Sequence, residues 1–182
     1  MGRPRAFDEE QAVRAAAELF AVHGYEGTSV DDLVTGLGVH RGSLYKVFGS
    51  KRGLYLAALR RHLDEEVLPL AVALGEADGL AALLARAVGA FDGGPAAGLL
   101  LSAAVERAGS DPDVGALVAE GMAALDAAVE RVRGTGPDGA PDGGPGTAGV
   151  LTATVLGLRL RARAGLGGPP PGAVLAFAER VG

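Results

Sequence analysis

Two long basic side chains, Arg41 and Lys46, lie close together in a short polar stretch near the amino terminus. An arginine can donate two hydrogen bonds to O6 and N7 of guanine, and lysine is a further long donor. Lys51 comes at the start of another predicted helix, where its ammonium group adds to free backbone N–H groups that attract phosphate. These residue types at this spacing predict contact with nucleic acid.

A basic arm precedes the first predicted helix. Arg3 and Arg5 are suited to the minor groove of DNA, which flexible basic arms of other proteins enter. The alternative is that both arginines only keep a loose terminus soluble.

The inventory of reactive side chains argues against catalysis. The chain has no cysteine, which excludes a disulfide scaffold, a thiolate zinc site, an iron–sulfur cluster and a cysteine nucleophile. It also lacks a nucleophile elbow, a phosphate-binding loop and paired histidines with metal-ligand spacing, since His23 and His62 stand alone. We therefore predict a protein that is not an enzyme and that needs no cofactor or metal.

Charge divides the 182 residues into two regions. The formal net charge is −5, yet residues 1–62 carry nine Lys and Arg against seven Asp and Glu, whereas residues 63–182 carry eight against fifteen. Only the first region has the basic balance that a nucleic-acid partner favours. No window approaches 18 uninterrupted apolar residues, so we expect a cytoplasmic protein with no membrane partner.

Helical periodicity dominates the chain, and no convincing alternation with period two is present, so the predicted class is all-α. Near the amino terminus, Gly24 and Gly38 predict helix ends, and Pro69 predicts the end of the fourth helix. The predicted helices span residues 8–24, 28–37, 41–48, 51–67, 79–91, 96–108, 112–133, 147–164 and 170–181. The Gly, Pro and Asp run over residues 134–146 predicts a flexible loop.

Two short helices joined by a glycine-containing turn form a helix-turn-helix, whose second helix enters the major groove of DNA. The string GYEGTSVDDLVTGLGVHRGSLYKVFGSKRGLYLAAL, residues 24–59, closely resembles the DNA-binding domain of the TetR family of bacterial transcriptional regulators. The resemblance implies a three-helix DNA-binding domain over residues 1–50 and a helical effector-binding and dimerisation domain over residues 51–182.

The resemblance also implies DNA contacts for individual residues. It assigns base-edge contact to the start of the third helix and phosphate contact to Tyr45, Lys51 and Thr28, while Gly42 lets the helix approach the DNA closely. The alternatives are that Tyr45 is a core residue and that Thr28 serves only as a helix cap. The expected DNA-binding residues are Arg3, Arg5, Thr28, His40, Arg41, Gly42, Ser43, Tyr45, Lys46 and Lys51.

The segment over residues 98–113 resembles a TetR subgroup that usually has cysteine and asparagine in this helix. Leu99 and Ser102 stand at those positions, so thiol-based sensing is excluded because the sulfur is missing. An inward carboxylate of Glu106 would favour a cationic or hydrogen-bond-donating effector, and the alternative is that Glu106 faces water. The candidate residues for the unknown small-molecule effector are Phe91, Ser102 and Glu106.

The last two predicted helices leave more apolar surface than a short chain end can easily hide. In a two-fold dimer they would form a four-helix bundle, and the alternative is that they pack only within one subunit. The expected dimer residues are Val150, Leu151, Val155, Leu158, Val174, Leu175, Phe177 and Val181.

The sequence as a whole therefore predicts a DNA-binding transcriptional regulator, specifically a ligand-responsive repressor that binds a palindromic operator as a homodimer. Two alternatives stay open. One is a regulator that binds DNA independently of any ligand, and the other is a helical binding module that has lost DNA binding.

Overall fold

The computed structural model describes residues 8–89, 98–134 and 146–166, together with 170, 172–173, 176–177 and 180. These ranges contain helices and turns and no strand, which confirms the all-α class. The helices are α1 (Glu9–Gly27), α2 (Val30–Leu37), α3 (Arg41–Phe48), α4 (Lys51–His62), a π-helical turn (Leu63–Val67), α5 (Leu68–Gly75), α6 (Leu80–Gly89), α7 (Leu99–Glu106), α8 (Pro112–Arg133) and α9 (Thr147–Arg163).

Two compact units make up the chain. The first comprises residues 1–65 and 94–119, and the second comprises residues 66–93 and 120–182. The first unit therefore extends beyond residue 50, where the sequence predicts the end of a DNA-binding domain. Most of the predicted 134–146 loop and of the predicted 170–181 helix lies outside the described residues.

Short polar side chains begin α1, α2, α4 and α8, whereas α3, α5 and α7 have no side-chain cap. Asp8 Oδ1 accepts a hydrogen bond from Gln11 N at 3.0 Å, and Asp111 Oδ1 accepts from Val114 N at 3.4 Å. Helix α2 has a full capping box between Ser29 and Asp32, and it begins after Ser29 rather than at Thr28. Each cap satisfies backbone N–H groups that have no partner within the helix.

Both glycines that the sequence predicts as helix ends break the helical backbone. Gly38 ends α2 in the left-handed conformation, with φ 63° and ψ 32°. Gly24 has φ 74° and ψ 174°, so the regular helix stops there as predicted. A short helical turn over residues 25–27 follows the kink and is included in the bounds of α1.

The prediction that the fourth helix ends before Pro69 is wrong. The chain remains helical from Lys51 to Gly75, passing through the π-helical turn. Pro69 lies in the first turn of α5, where a residue without an N–H group is tolerated.

Apolar side chains of α1, α4 and α7 form the core of the first unit. Phe20 and Tyr55 meet edge to face with their ring centroids 4.9 Å apart. The buried apolar residues of this unit are Ala12, Val13, Ala16, Ala17, Phe20, Ala21, Leu33, Leu44, Leu54, Tyr55, Ala58, Leu59, Leu63, Leu99, Leu100, Ala103, Val114 and Val118.

Aliphatic side chains of α5, α6, α8 and α9 form the core of the second unit. Leu151 and Val155 belong to this core and are 1% and 5% exposed. Their expected place in a dimer interface is thus corrected, because a single chain already buries both side chains. The cluster comprises Ala71, Leu74, Leu80, Leu83, Leu84, Ala87, Leu125, Ala128, Val129, Ala148, Leu151 and Val155.

Candidate nucleic-acid interface

Buried leucines fix the helix-turn-helix in place. Leu33 of α2 and Leu44 of α3 are fully buried, while Gly38 makes the turn between their helices. At Gly36 the α2 backbone comes so close to Leu19 of α1 that an added Cβ would lie 2.8 Å from the Leu19 Cδ1 atom. This packing leaves one side of α3 facing solvent.

The solvent side of α3 carries most of the predicted DNA-binding residues. His40, Arg41, Gly42, Tyr45 and Lys46 are exposed. Tyr45 is 39% exposed, so the alternative that it is a core residue is not supported. Ser43 is half-buried, and Val47, which the sequence reasoning missed, is 40% exposed.

The fold itself does not require a glycine at position 42. Its φ is not positive, and a Cβ atom built there would meet nothing within 4 Å. A glycine inside a helix costs about 0.5–1 kcal/mol relative to alanine. The missing side chain therefore leaves room outside the protein rather than inside it.

An acidic neighbour holds the Arg41 guanidinium group. Its Nη2 donates to Asp31 Oδ1, which links the first turn of α3 to the first turn of α2. This contact raises the pKa of Arg41 through a hydrogen bond and a favourable charge interaction. Since Arg41 is still half exposed, the ion pair orients it without covering it.

Lys51 and Thr28 contact the segment between α1 and α2. Lys51 is half-buried, and its Nζ donates to Tyr25 O at 2.7 Å and Thr28 O at 2.9 Å. The Thr28 side chain is buried and donates to Gly24 O at 2.7 Å. Its expected phosphate contact is corrected to a structural role, because the hydroxyl faces its own backbone.

Tyr25 lies between two cations. The Lys51 ammonium group is 4.1 Å from the centre of its ring, and the Arg107 guanidinium carbon is 4.7 Å from it. Its backbone N–H donates to Glu106 Oε2 at 2.8 Å. The carboxylate that the sequence assigned to an effector site thus contacts the end of α1.

A second ionic group joins α4 to the start of α8. Arg52 donates two hydrogen bonds to Asp111, both at 2.7 Å, and a third to Asp113 at 2.6 Å. Asp111 is buried, and these bonds hold the pKa of its carboxyl group well below the usual value. The sequence predicted Asp111 only as a helix cap, because no local pattern reveals a partner 59 positions away.

The other predicted site residues are dispersed or undescribed. Ser102 is half-buried and its hydroxyl donates to Leu99 O at 3.1 Å. Val150 and Phe177 are 64% and 38% exposed. Outside the described residues or side chains lie Arg3, Arg5, Phe91, Leu158, Val174, Leu175 and Val181.

Two features are absent from the described part of the chain. No helix there is long and apolar enough to cross a membrane. Nor does that part contain a group of three or more His, Asp or Glu side chains that could hold a metal ion.

A capped α2, a left-handed glycine turn and an exposed basic α3 define a helix-turn-helix DNA-binding fold. The family model described as bacterial regulatory proteins, tetR family, matches residues 12–58. A cysteine mutant of the TetR family transcriptional regulator CifR, solved with 26-base-pair operator DNA, is 30% identical over 99% of this chain and 97% of that one, with a TM-score of 0.72. This chain belongs to the TetR family.

The curated relatives match about a third of the chain. The HTH-type transcriptional repressor BdcR of Escherichia coli (strain K12) is 44% identical over 70 residues, which are 38% of this chain and 36% of that protein. The HTH-type transcriptional regulator YezE of Bacillus subtilis (strain 168) is 45% identical over 64 residues, 35% of this chain and 33% of that protein. The similarity thus spans about a third of each relative.

Proposed function

We propose that this protein is a ligand-responsive transcriptional repressor that binds a palindromic operator as a homodimer. The exposed face of α3 carries the proposal of DNA binding, because it presents His40, Arg41, Tyr45 and Lys46 to solvent around a glycine that the fold does not need. The sign of regulation rests on similarity to BdcR, which is a repressor.

Gly42→Ala is the sharpest test of DNA binding. Alanine should stabilise α3 by about 0.5–1 kcal/mol, because it removes the flexibility of glycine and meets no neighbour. Affinity for an operator selected from a random duplex library should nevertheless fall, since the added methyl group occupies space that DNA needs. We expect a higher Tm together with weaker operator binding in a gel-shift assay.

Three results would contradict this proposal. If the wild-type chain enriches no sequence from the library, it is a helical module without DNA binding. If Gly42→Ala binds the operator as tightly as wild type, α3 does not approach DNA at this position. A lower Tm would instead mean that the glycine is needed inside the protein.

The exposed side of α9 supports the homodimer. Gly149, Val150, Ala153, Gly157 and Leu160 are all exposed, and Cβ atoms at the two glycines would meet nothing within 4 Å. Small residues beside exposed apolar ones would let a second α9 pack closely.

Val150→Asp tests the dimer, with Val72→Asp as the control because Val72 of α5 is 56% exposed. Light scattering after gel filtration should show a dimer for wild type and for the control, and a monomer for Val150→Asp at micromolar concentration. A monomeric wild type, or an unaffected Val150→Asp dimer, would contradict this interface.

An effector site in the second unit is supported by one unsatisfied polar group. Thr152 is 4% exposed, and its hydroxyl finds no hydrogen-bond partner among the described residues. In surroundings that are mostly aliphatic, such a group favours an apolar molecule with one hydrogen-bonding function.

A thermal-shift screen of small apolar alcohols, ketones and amides would test this site. Hits should release operator DNA, and Thr152→Val should weaken them about tenfold, the cost of one buried hydrogen bond. Ser102→Ala measures whether the predicted α7 position contributes. If no compound releases DNA, the ligand-independent alternative is favoured. If compounds release DNA but their potency is unchanged in both variants, neither Thr152 nor Ser102 lines the effector site.

A further inference from the structure

The break in α1 at Gly24 sets the direction in which the chain enters the helix-turn-helix. Gly24 adopts φ 74° and ψ 174°, which are far from helical values. Five residues later the chain reaches Ser29, the N-cap of α2. A change in backbone angles at Gly24 would therefore rotate α2 and α3 relative to the rest of α1.

The Glu106 carboxylate occupies the space beside this break. Its Oε2 accepts a hydrogen bond from Tyr25 N at 2.8 Å, immediately after the glycine. A Cβ atom at Gly24 would overlap Glu106 Oε1, so the missing side chain is what lets the carboxylate approach. Both the glycine and the acid are thus needed for the same contact.

Neighbouring residues hold the same segment from two sides. Arg107 contacts the Tyr25 ring and lies 3.4 Å from Glu26 Oε1, so the end of α7 contributes two consecutive residues. On the other side Lys51 donates to the carbonyls of Tyr25 and Thr28. Residues 25–28, at the end of α1, are therefore held by side chains from α4 and from the end of α7.

We propose that Glu106 is a positioning residue for operator binding: its contact with Tyr25 N fixes the break in α1 and thereby the orientation of the two DNA-reading helices. The proposal rests on the proposed DNA-binding function. A segment that is already ordered loses less conformational entropy when DNA binds, so the contact raises affinity without touching DNA.

Two substitutions at Glu106 separate geometry from charge. Glu106→Gln keeps an oxygen that can accept from Tyr25 N, whereas Glu106→Ala removes the acceptor. We expect Glu106→Ala to lose about tenfold in operator affinity, as for one lost hydrogen bond, and Glu106→Gln to stay within about twofold of wild type. Val105→Ala is the matched control, because Val105 precedes Glu106 and is 79% exposed.

The readouts distinguish positioning from general destabilisation. Affinity for random DNA should fall less than affinity for the operator, and the salt dependence of binding should match wild type in both variants, because no phosphate contact is lost. Hydrogen exchange of the Tyr25 amide should be faster in Glu106→Ala alone. All binding is measured at a temperature 20 °C lower than the lowest Tm among the variants.

Several outcomes would overturn the inference. Operator affinity of Glu106→Ala within twofold of wild type would do so, and so would an equal loss in Glu106→Gln, which would indicate a charge effect. Unchanged exchange of the Tyr25 amide would show that the hydrogen bond is not formed in solution. If the wild-type chain binds no operator, the proposed function fails, and this inference fails with it.

Discussion

The outer face of α3 and the polar network around Tyr25 both contain basic and aromatic side chains, but the network binds other parts of the same chain. The network comprises Tyr25, Lys51, Arg52, Glu106, Arg107 and Asp111. On α3, basic and aromatic side chains are exposed, and Arg41 pairs with Asp31, only ten positions away. Around Tyr25, Lys51 donates to Thr28, 23 positions away, and Glu106 accepts from Tyr25, 81 positions away. The first region is thus available to another molecule, and the second determines the geometry with which it is presented.

This difference predicts that substitutions in the network alter stability, whereas those on α3 alter DNA recognition. Asp111→Asn should produce the largest fall in Tm of the four substitutions described below. The buried carboxylate accepts from Arg52 and caps α8, and asparagine would leave Asp113 as the one acidic partner of Arg52 given above. Glu65→Gln is the control and should change Tm little, because the Glu65 side chain of this i,i+4 ion pair with Arg61 is 53% exposed.

The same substitution predicts a pH dependence. Folding lowers the Asp111 pKa from 3.8, so the stability contributed by the ionised form is complete above about pH 4 and is lost as the pH falls below that value. The Tm difference between wild type and Asp111→Asn should therefore narrow between pH 6 and pH 3. A difference that stayed constant across this range would assign the effect to shape rather than charge.

Arg41→Ala should leave Tm nearly unchanged and alter sequence reading. We expect a loss of roughly tenfold or more at one base position of each half-site, and little change on random DNA. Affinities for a panel of single-base operator variants would measure it. A loss spread evenly over all positions would make Arg41 a backbone contact and weaken the contrast between the two regions.

Lys51→Ala tests a residue of the network around Tyr25 that is also an expected DNA contact. Two of its three ammonium N–H groups are used by carbonyls of its own chain, which leaves one for a phosphate. If it makes that contact, the slope of log affinity against log salt should flatten by about 0.9 per contact, or roughly 1.8 per dimer. An unchanged slope with a lower Tm would place Lys51 in the network alone.

Asp31→Asn should have the smallest effect. Removing a negative charge from the DNA-facing side should tighten binding to random DNA about threefold, while Arg41 loses its orienting partner, so the preference for operator over random DNA should fall. Asp64→Asn, at an exposed ion pair with Arg60, is the matched control. An increased preference for the operator would mean that Asp31 competes with DNA for Arg41.

Helix start and stop residues in the sequence predicted the position of α3 well. The bounds of α3 match the structure, because a glycine turn precedes it and Gly49 and Ser50 follow it. The bounds of α8 also match, because Asp111 and Pro112 are a strong start signal. Exposure of Tyr45 was left open, since one aromatic residue on a short helix suits either face.

The contacts of the network could not be predicted from the sequence, for a physical reason. The partners of Tyr25, Arg52 and Gly24 are set by tertiary packing, and neither spacing nor periodicity encodes them. A similar ambiguity misassigned Leu151 and Val155, because an apolar stripe shows that a face is buried but not what buries it.

The discontinuity of the first unit has a consequence for synthesis on the ribosome. Helix α7, which packs on α1, lies beyond an insertion that belongs to the other unit. At about 5–20 residues per second, residues 66–119 take roughly 3 to 11 s to be added after residue 65. During that interval α1 can pack on α4 but lacks α7, so part of its apolar side stays uncovered. We therefore expect the nascent amino-terminal segment to be open to chaperone binding until α7 is made.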